Sequence, residues 1–243
     1  KLDDQHQLVA ELSWNLGWAA LKYIGGYNQY TFTQVTDYDA TARISYPTPI
    51  VGTTVFPSIT AEYIEDKKFW SNELNLSSIH DGPLQWIAGL YYYREKFRQP
   101  ITLYAPFQAQ IETPRIGAAT TPGYLFLPAA PNPDRIVFLS FGDLDTKATA
   151  AFGQIDYAFN DSFKVTAGLR YSKDEKDALE TSRLVYLNPL TLGALGGSID
   201  VTAASGGRGP ASRNLSGEWD AWSGTLGAEW SPDTSTMAYA KYS

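Results

Sequence analysis

Two histidines, His6 and His80, and no cysteine are all that the 243-residue chain offers as ready imidazole bases or thiol nucleophiles. They lie far apart in the sequence, no carboxylate cluster sits beside them at ligand spacing, and His80 falls in a turn. No nucleophile elbow or Ser/His/Asp grouping is recognisable. Gly206-Gly207-Arg208-Gly209 lacks the Lys-Ser/Thr ending of a phosphate-binding loop and reads as loop flexibility. Asp37 with Asp39 and Asp143 with Asp145 are carboxylate pairs at loop ends. Calcium needs more oxygens than a pair supplies, so solvated loop acids are the default reading. No catalytic residue, cofactor or resident metal is expected, and the chain is not read as an enzyme.

The chemistry left to such a chain is recognition. Tyr93 and Arg94, with Lys96 and Arg98, cluster near one strand end, where cations and rings suit an anionic chelate. Arg170, Glu73 and Lys164 fall on polar strand faces. A Pro- and aromatic-rich stretch carries Tyr104, Phe107, Tyr124, Phe126 and Phe138, rings that offer contact at low entropy cost. The candidate ligand-binding residues are Tyr93, Arg94, Tyr104, Phe107, Tyr124, Phe126 and Arg170.

The elements that must position them are strands. The pattern predicts four hairpins, each with a short turn rich in Asn, Asp, Gly, Pro or Ser. The first runs from Gln7–Trp14 through a turn at 15–17 into Trp18–Thr33. The second runs from Lys67–Ile79 through 80–83 into Leu84–Arg98. The third runs from Thr146–Phe159 through 160–162 into Phe163–Leu179. The fourth runs from Gly217–Trp230 through 231–234 into Ser235–Ser243. Alternation is clearest where Phe163, Val165, Ala167, Leu169 and Tyr171 oppose Lys164, Thr166, Gly168, Arg170 and Ser172. Trp70, Leu74 and Leu76 oppose Ser71, Glu73, Asn75 and Ser77 in the same way. Trp222, Leu226, Ala228 and Trp230 oppose Ser223, Thr225 and Glu229.

The strands are long for a soluble protein, and the connections are lopsided. Against the short turns stand irregular stretches near 34–66, 99–145 and 180–216. Short turns at one end and long loops at the other characterise outer-membrane barrels. Aromatic residues mark two levels. Trp14, Trp18, Trp86, Phe159, Phe163 and Trp230 crowd the short turns. Tyr171 and Trp222 each stand eight positions further along and on the same face as Phe163 and Trp230. Eight tilted strand steps rise roughly 20 Å, close to the apolar band between the two aromatic girdles of a membrane barrel.

Composition agrees. A 14% aromatic content suits pleated, half-buried surfaces, and a net charge of −7 without a basic run argues against nucleic-acid binding. No apolar window is long enough for a transmembrane helix, which leaves barrel strands open because hydropathy averages over their alternation. The N-terminal Lys1-Leu2-Asp3-Asp4 lacks the apolar core of a signal peptide. No repeat at a fixed period points to a propeller or solenoid.

The stretch from Trp70 to Ser78, followed by Gly82-Pro83-Leu84-Gln85-Trp86-Ile87-Ala88-Gly89-Leu90-Tyr91-Tyr92, resembles a hairpin of the TonB-dependent outer-membrane receptors. So does Ala151-Phe152-Gly153-Gln154-Ile155-Asp156-Tyr157, followed by Ala167-Gly168-Leu169-Arg170-Tyr171-Ser172. Trp230-Ser231-Pro232-Asp233 with Met237-Ala238-Tyr239-Ala240-Lys241-Tyr242-Ser243 continues the likeness. It covers most strand regions and little of the long loops. The resemblance implies an all-β, antiparallel transmembrane barrel of about 22 strands, of which about eight are present here. It also implies a plug domain, coupling to the inner-membrane TonB complex, and uptake of a scarce nutrient such as a ferric siderophore. The expected setting is the outer membrane of a Gram-negative bacterium, in contact with its lipid and lipopolysaccharide. We find no plug or TonB box and expect a partial barrel over residues 1–243. Two alternatives are a passive porin or small closed barrel, whose first and last strands would pair, and a soluble β-sandwich acting as a carbohydrate-binding module.

Overall fold

A computed structural model of the chain describes residues 1–48, 53–117, 127–187, 197–233 and 235–243. Its strands are β1 (Leu2–Asn15), β2 (Ala19–Asp37), β3 (Tyr46–Thr48), β4 (Thr53–Val55), β5 (Thr60–Ser78), β6 (Leu84–Tyr104), β7 (Arg115–Ile116), β8 (Ile136–Asn160), β9 (Phe163–Leu187), β10 (Ser198–Asp200), β11 (Ala211–Trp230) and β12 (Ala238–Tyr242). Eight of these, in the order β1-β2-β5-β6-β8-β9-β11-β12, form one antiparallel sheet in which each strand pairs with its neighbours in that order. Four hairpins emerge, three with their turns where Asn, Asp, Gly and Pro predicted them; the fourth connects β11 to β12 through 231–237, so its second strand begins at Ala238 rather than at Ser235. Asn15 accepts the Gly17 N–H, Asn160 accepts the Ser162 N–H, and Asp233 accepts the Ser235 and Thr236 N–H groups. His80 serves its turn, its Nδ1 accepting the Gly82 N–H at 3.1 Å.

The sheet is open. β1 pairs with β2 alone and β12 with β11 alone, so the small closed barrel is set aside. The sandwich is set aside too, because the long strands of the described residues all belong to one sheet. Among the described residues the only other sheet is the β3–β4 pair.

The loop boundaries differ from the expectation. The stretches near 34–66, 99–145 and 180–216 contract to 38–59, 105–135 and 188–210, because the strands run on. β8 and β9 reach 25 residues each. The cause is physical: past the apolar band both faces of a strand are wet, so alternation fades while the backbone ladder continues. Asp143 and Asp145 accordingly lie within β8 rather than in a loop. Pro100 lies within β6, and the β5–β6 pairing skips from Tyr63↔Ile101 to Asp66↔Arg98 beside it, as a residue without an N–H requires.

A single sheet has no interior. The buried cluster lies instead where the ends of β8 and β9 meet the long connections, as Ala105, Ile111 and Val185 pack with Val137 and Leu187. A 3-10 turn at Ala109–Ile111 and the short strands β7 and β10 complete this cap, β10 pairing with both β7 and the end of β9. Arg183 and Asp200 form a buried ion pair at 2.9 Å within it. Arg183 also donates to the carbonyls of Ala130 and Pro131, and Asp200 accepts from the Thr202 N–H and hydroxyl. The glycines at 206–209 are not slack. Gly207 holds φ 74° and approaches so closely that a Cβ there would meet the Asp200 carbonyl oxygen at 2.7 Å.

Candidate functional site

Register carries the face assignment from strand to strand. On one face lie Trp14, Leu12, Ala10 and Leu8 of β1, Leu21, Tyr23, Gly25 and Tyr27 of β2, and Leu76, Leu74, Asn72 and Trp70 of β5. The same face continues through Trp86, Ala88, Leu90 and Tyr92 of β6, Ile155, Gly153, Ala151 and Thr149 of β8, Phe163 to Tyr171 at alternate positions of β9, and Trp230 to Trp222 at alternate positions of β11. No Asp, Glu, Lys or Arg interrupts this band. Its ends are aromatic. Trp18 stacks near Trp86 at 6.4 Å and Phe159 near Phe163 at 5.7 Å at the turn end, and Tyr171 near Trp222 at 5.0 Å at the other. Large apolar groups stay exposed there, with Leu169, Leu226 and Trp222 each more than half accessible. A charge-free band between two aromatic levels is the surface a bilayer solvates.

The opposite face is charged at the same heights, with Lys22, Glu73, Asp156, Lys164, Arg170 and Glu229. Towards the loop end it becomes a wall of phenols, rings and paired charges. Lys67 meets Glu95 at 2.9 Å and stands over the rings of Phe69 and Phe97. Tyr93 donates to the same Glu95 at 2.5 Å. Tyr30 and Tyr63 both donate to Glu65, and Gln99 donates to the Tyr63 hydroxyl. Below them the Arg170 guanidinium lies over Tyr91 and Phe152, at 5.9 and 5.8 Å. Gly89 admits the Phe152 ring, which a Cβ would strike at 2.3 Å. Such a wall offers hydrogen-bond donors, rings and cations to a bound molecule, and holds each in place by a neighbour.

Of the residues singled out from sequence, Tyr93 and Arg170 share this wall. Arg94 does not, because successive strand residues point to opposite faces. It lies outward, in a bidentate pair with Asp145 at 3.0 and 2.6 Å and over Trp70. Tyr104 ends β6 and donates to Glu62, and Phe107 projects from the cap, 63% exposed. Phe138 lies on β8 rather than in a loop. Tyr124 and Phe126 lie outside the described residues. The wall members Tyr30, Tyr63, Glu65, Lys67, Glu95 and Gln99 escaped the sequence reading. Carrying the parity of β2 and β5 past Thr33 and below Lys67 would have found them. Asp37 and Asp39 close the β2–β5 connection by accepting backbone N–H groups, Asp37 from Asp39 and Asp39 from Thr41 and Ile59.

Comparison with known proteins agrees with this architecture. The family described as TonB dependent receptor-like, beta-barrel matches residues 2–243. No curated protein sequence matches the chain. The ferric yersiniabactin uptake receptor of Yersinia pestis has a similar fold, with TM-score 0.58 and 13% identity over 94% of this chain. The ferric-catecholate import receptor of E. coli K12 matches more weakly, with TM-score 0.45 and 15% identity over 97% of this chain. This chain spans 26% and 34% of the length of those two.

Proposed function

Because this chain belongs to the TonB dependent receptor-like β-barrel family, we propose that it forms part of the barrel wall of a Gram-negative outer-membrane receptor for active uptake of a scarce nutrient. The ligand we assign is a ferric siderophore or similar iron complex. In this reading a plug domain couples the receptor to the inner-membrane TonB complex, and lipid and lipopolysaccharide surround the barrel.

The observation that carries the reading is the division of the sheet into an outward face with a charge-free band between two aromatic levels and a phenol- and cation-bearing inward face. The inward wall suits an anionic, ring-containing chelate. Lys67 and Arg170 supply positive charge beside rings, and Tyr30, Tyr63 and Tyr93 supply hydroxyls. Tyr104 and Phe107 stand where an arriving ligand meets the cap first.

The test uses the intact receptor in iron-starved cells. Radioiron uptake from a panel of ferric chelates should require the proton-motive force and TonB. Uptake that persists without both would replace this reading with a passive porin. Lys67→Ala with Arg170→Ala should weaken binding of the accepted chelate by roughly 10- to 100-fold, as lost charged contacts do. Unchanged affinity would remove the wall from the binding site.

A further inference from the structure

The inward face of β9 and β11 carries opposite charges that the fold leaves apart. Beyond the upper aromatic pair Tyr171–Trp222, Trp219 of β11 stands directly opposite Asp174 of β9, and in the next inward row Gly217 stands opposite Lys176. An odd number of steps separates these four from the outward rings, so all four face inward. The benzo ring of Trp219 lies over Gly217, with three of its carbons in the space a Cβ would need. The rest of the indole is open, 59% exposed. The same device occurs lower on this face, where the Phe152 ring fills the space above Gly89 and the Arg170 guanidinium covers the ring. Among the described residues no cation or second ring covers Trp219.

Asp174 and Lys176 are exposed, and among the described residues neither forms an ion pair or a hydrogen bond. Their spacing permits one. Lys173 and Glu175, the equivalent pair on the outward face of the same strand, meet at 2.9 Å. Lys176 has Gly217 on one side, which carries no side chain, and Thr146 on the other. Beyond Thr146 stands Glu95, already held by Lys67 and Tyr93.

We propose that Trp219, Asp174 and Lys176 form an inward-facing site for a zwitterionic α-amino-acid group. Its ammonium lies on the open indole face, as Arg170 lies on Phe152, and donates to Asp174. Its carboxylate accepts from Lys176. A simple anion would meet the Asp174 carboxylate and a simple cation the Lys176 ammonium, whereas a zwitterion satisfies both. The site rests on these residues facing the lumen and not on the nutrient being a ferric chelate. The group can belong to a free amino acid or to the amino-acid end of a larger solute.

The experiment uses the intact receptor in detergent, with binding read by saturation-transfer NMR. The probes are serine, N-acetylserine, serine methyl ester, Nε-benzoyl-lysine and maltose. Serine should bind roughly 10-fold or more tightly than N-acetylserine or the methyl ester, which each lack one charge. Asp174→Asn should remove the preference over N-acetylserine, and Lys176→Gln the preference over the ester, each leaving the other preference in place. Trp219→Ala should weaken serine by a similar factor, and Trp219→Phe should restore most of it. An unchanged urea midpoint confirms that each variant is folded. With the site confirmed, Nε-benzoyl-lysine binding tighter than serine assigns the group to a larger solute, and equal binding assigns it to a free amino acid. Serine binding no tighter than its two derivatives, or preferences that survive both charge variants, overturns the site. Maltose binding tighter than serine overturns the ligand class in favour of a sugar.

Discussion

A single buried pair can govern a region when the molecule has little other interior. Arg183 and Asp200 are the most deeply buried charges described, and each is saturated by further partners in the cap. Removing one partner leaves the other charged and buried, at a cost of about 3–5 kcal/mol. Arg183→Ala is therefore expected to abolish amide protection across 105–117 and 197–210 in hydrogen exchange, while protection in the lower halves of β8 and β9 stays intact. Asp39 acts through ionisation. The Ile59 N–H, with that of Thr41, holds its carboxyl below the usual carboxylate range. A depressed folded value means the tie is present above about pH 4 and is lost as the pH falls through the lower folded value. Exchange at Ile59, corrected for its intrinsic rate, should accelerate on acidification, and Asp39→Ala should show the fast rate at neutral pH. At this scale the sequence was half legible. Tyr93 and Arg170 could be named from residue type and strand position. Arg94 stands beside Tyr93 in sequence and on the other side of the sheet in space. The Arg183–Asp200 pair left no trace, because its partners are set by loop folding rather than by period.

At the scale of elements, the period of two located the strands and the turn residues located the hairpins, since both are local rules. Strand ends were illegible because the alternation that reveals a strand depends on a contrast between lipid and water. That contrast ends near Tyr92 and Tyr171, whereas the hydrogen-bond ladder continues to Tyr104 and Leu187. The two faces of one strand make different demands. Leu169→Lys places a charge mid-band on the outward face and should destabilise the folded barrel by about 2–4 kcal/mol. Thr166→Lys, on the inward face of the same β9, should change stability little. Urea titrations of the reconstituted receptor distinguish the two, and equal costs would contradict the face assignment.

At the scale of the whole molecule, the described strands form one long sheet, and the buried cluster among the described residues lies where the ends of β8 and β9 meet the loops. The family match and the fold agree on what kind of wall it is. Its exposed Leu, Trp and Tyr band is expected to partition the chain into the detergent phase in a cloud-point separation, where a water-soluble module would stay behind. The overshoot of β8 and β9 has an immunological consequence. At 25 residues each, tilted as barrel strands are, they rise roughly 60 Å against an apolar band of about 25 Å. In the membrane-spanning reading proposed above, the cap is thus lifted roughly 30 Å clear of the bilayer. Its described residues are held in place by the Arg183–Asp200 network rather than slack. That makes the folded surface around Phe107 and Arg208 a conformational epitope. Antibodies raised against it should label intact cells and fail to recognise the Arg183→Ala protein.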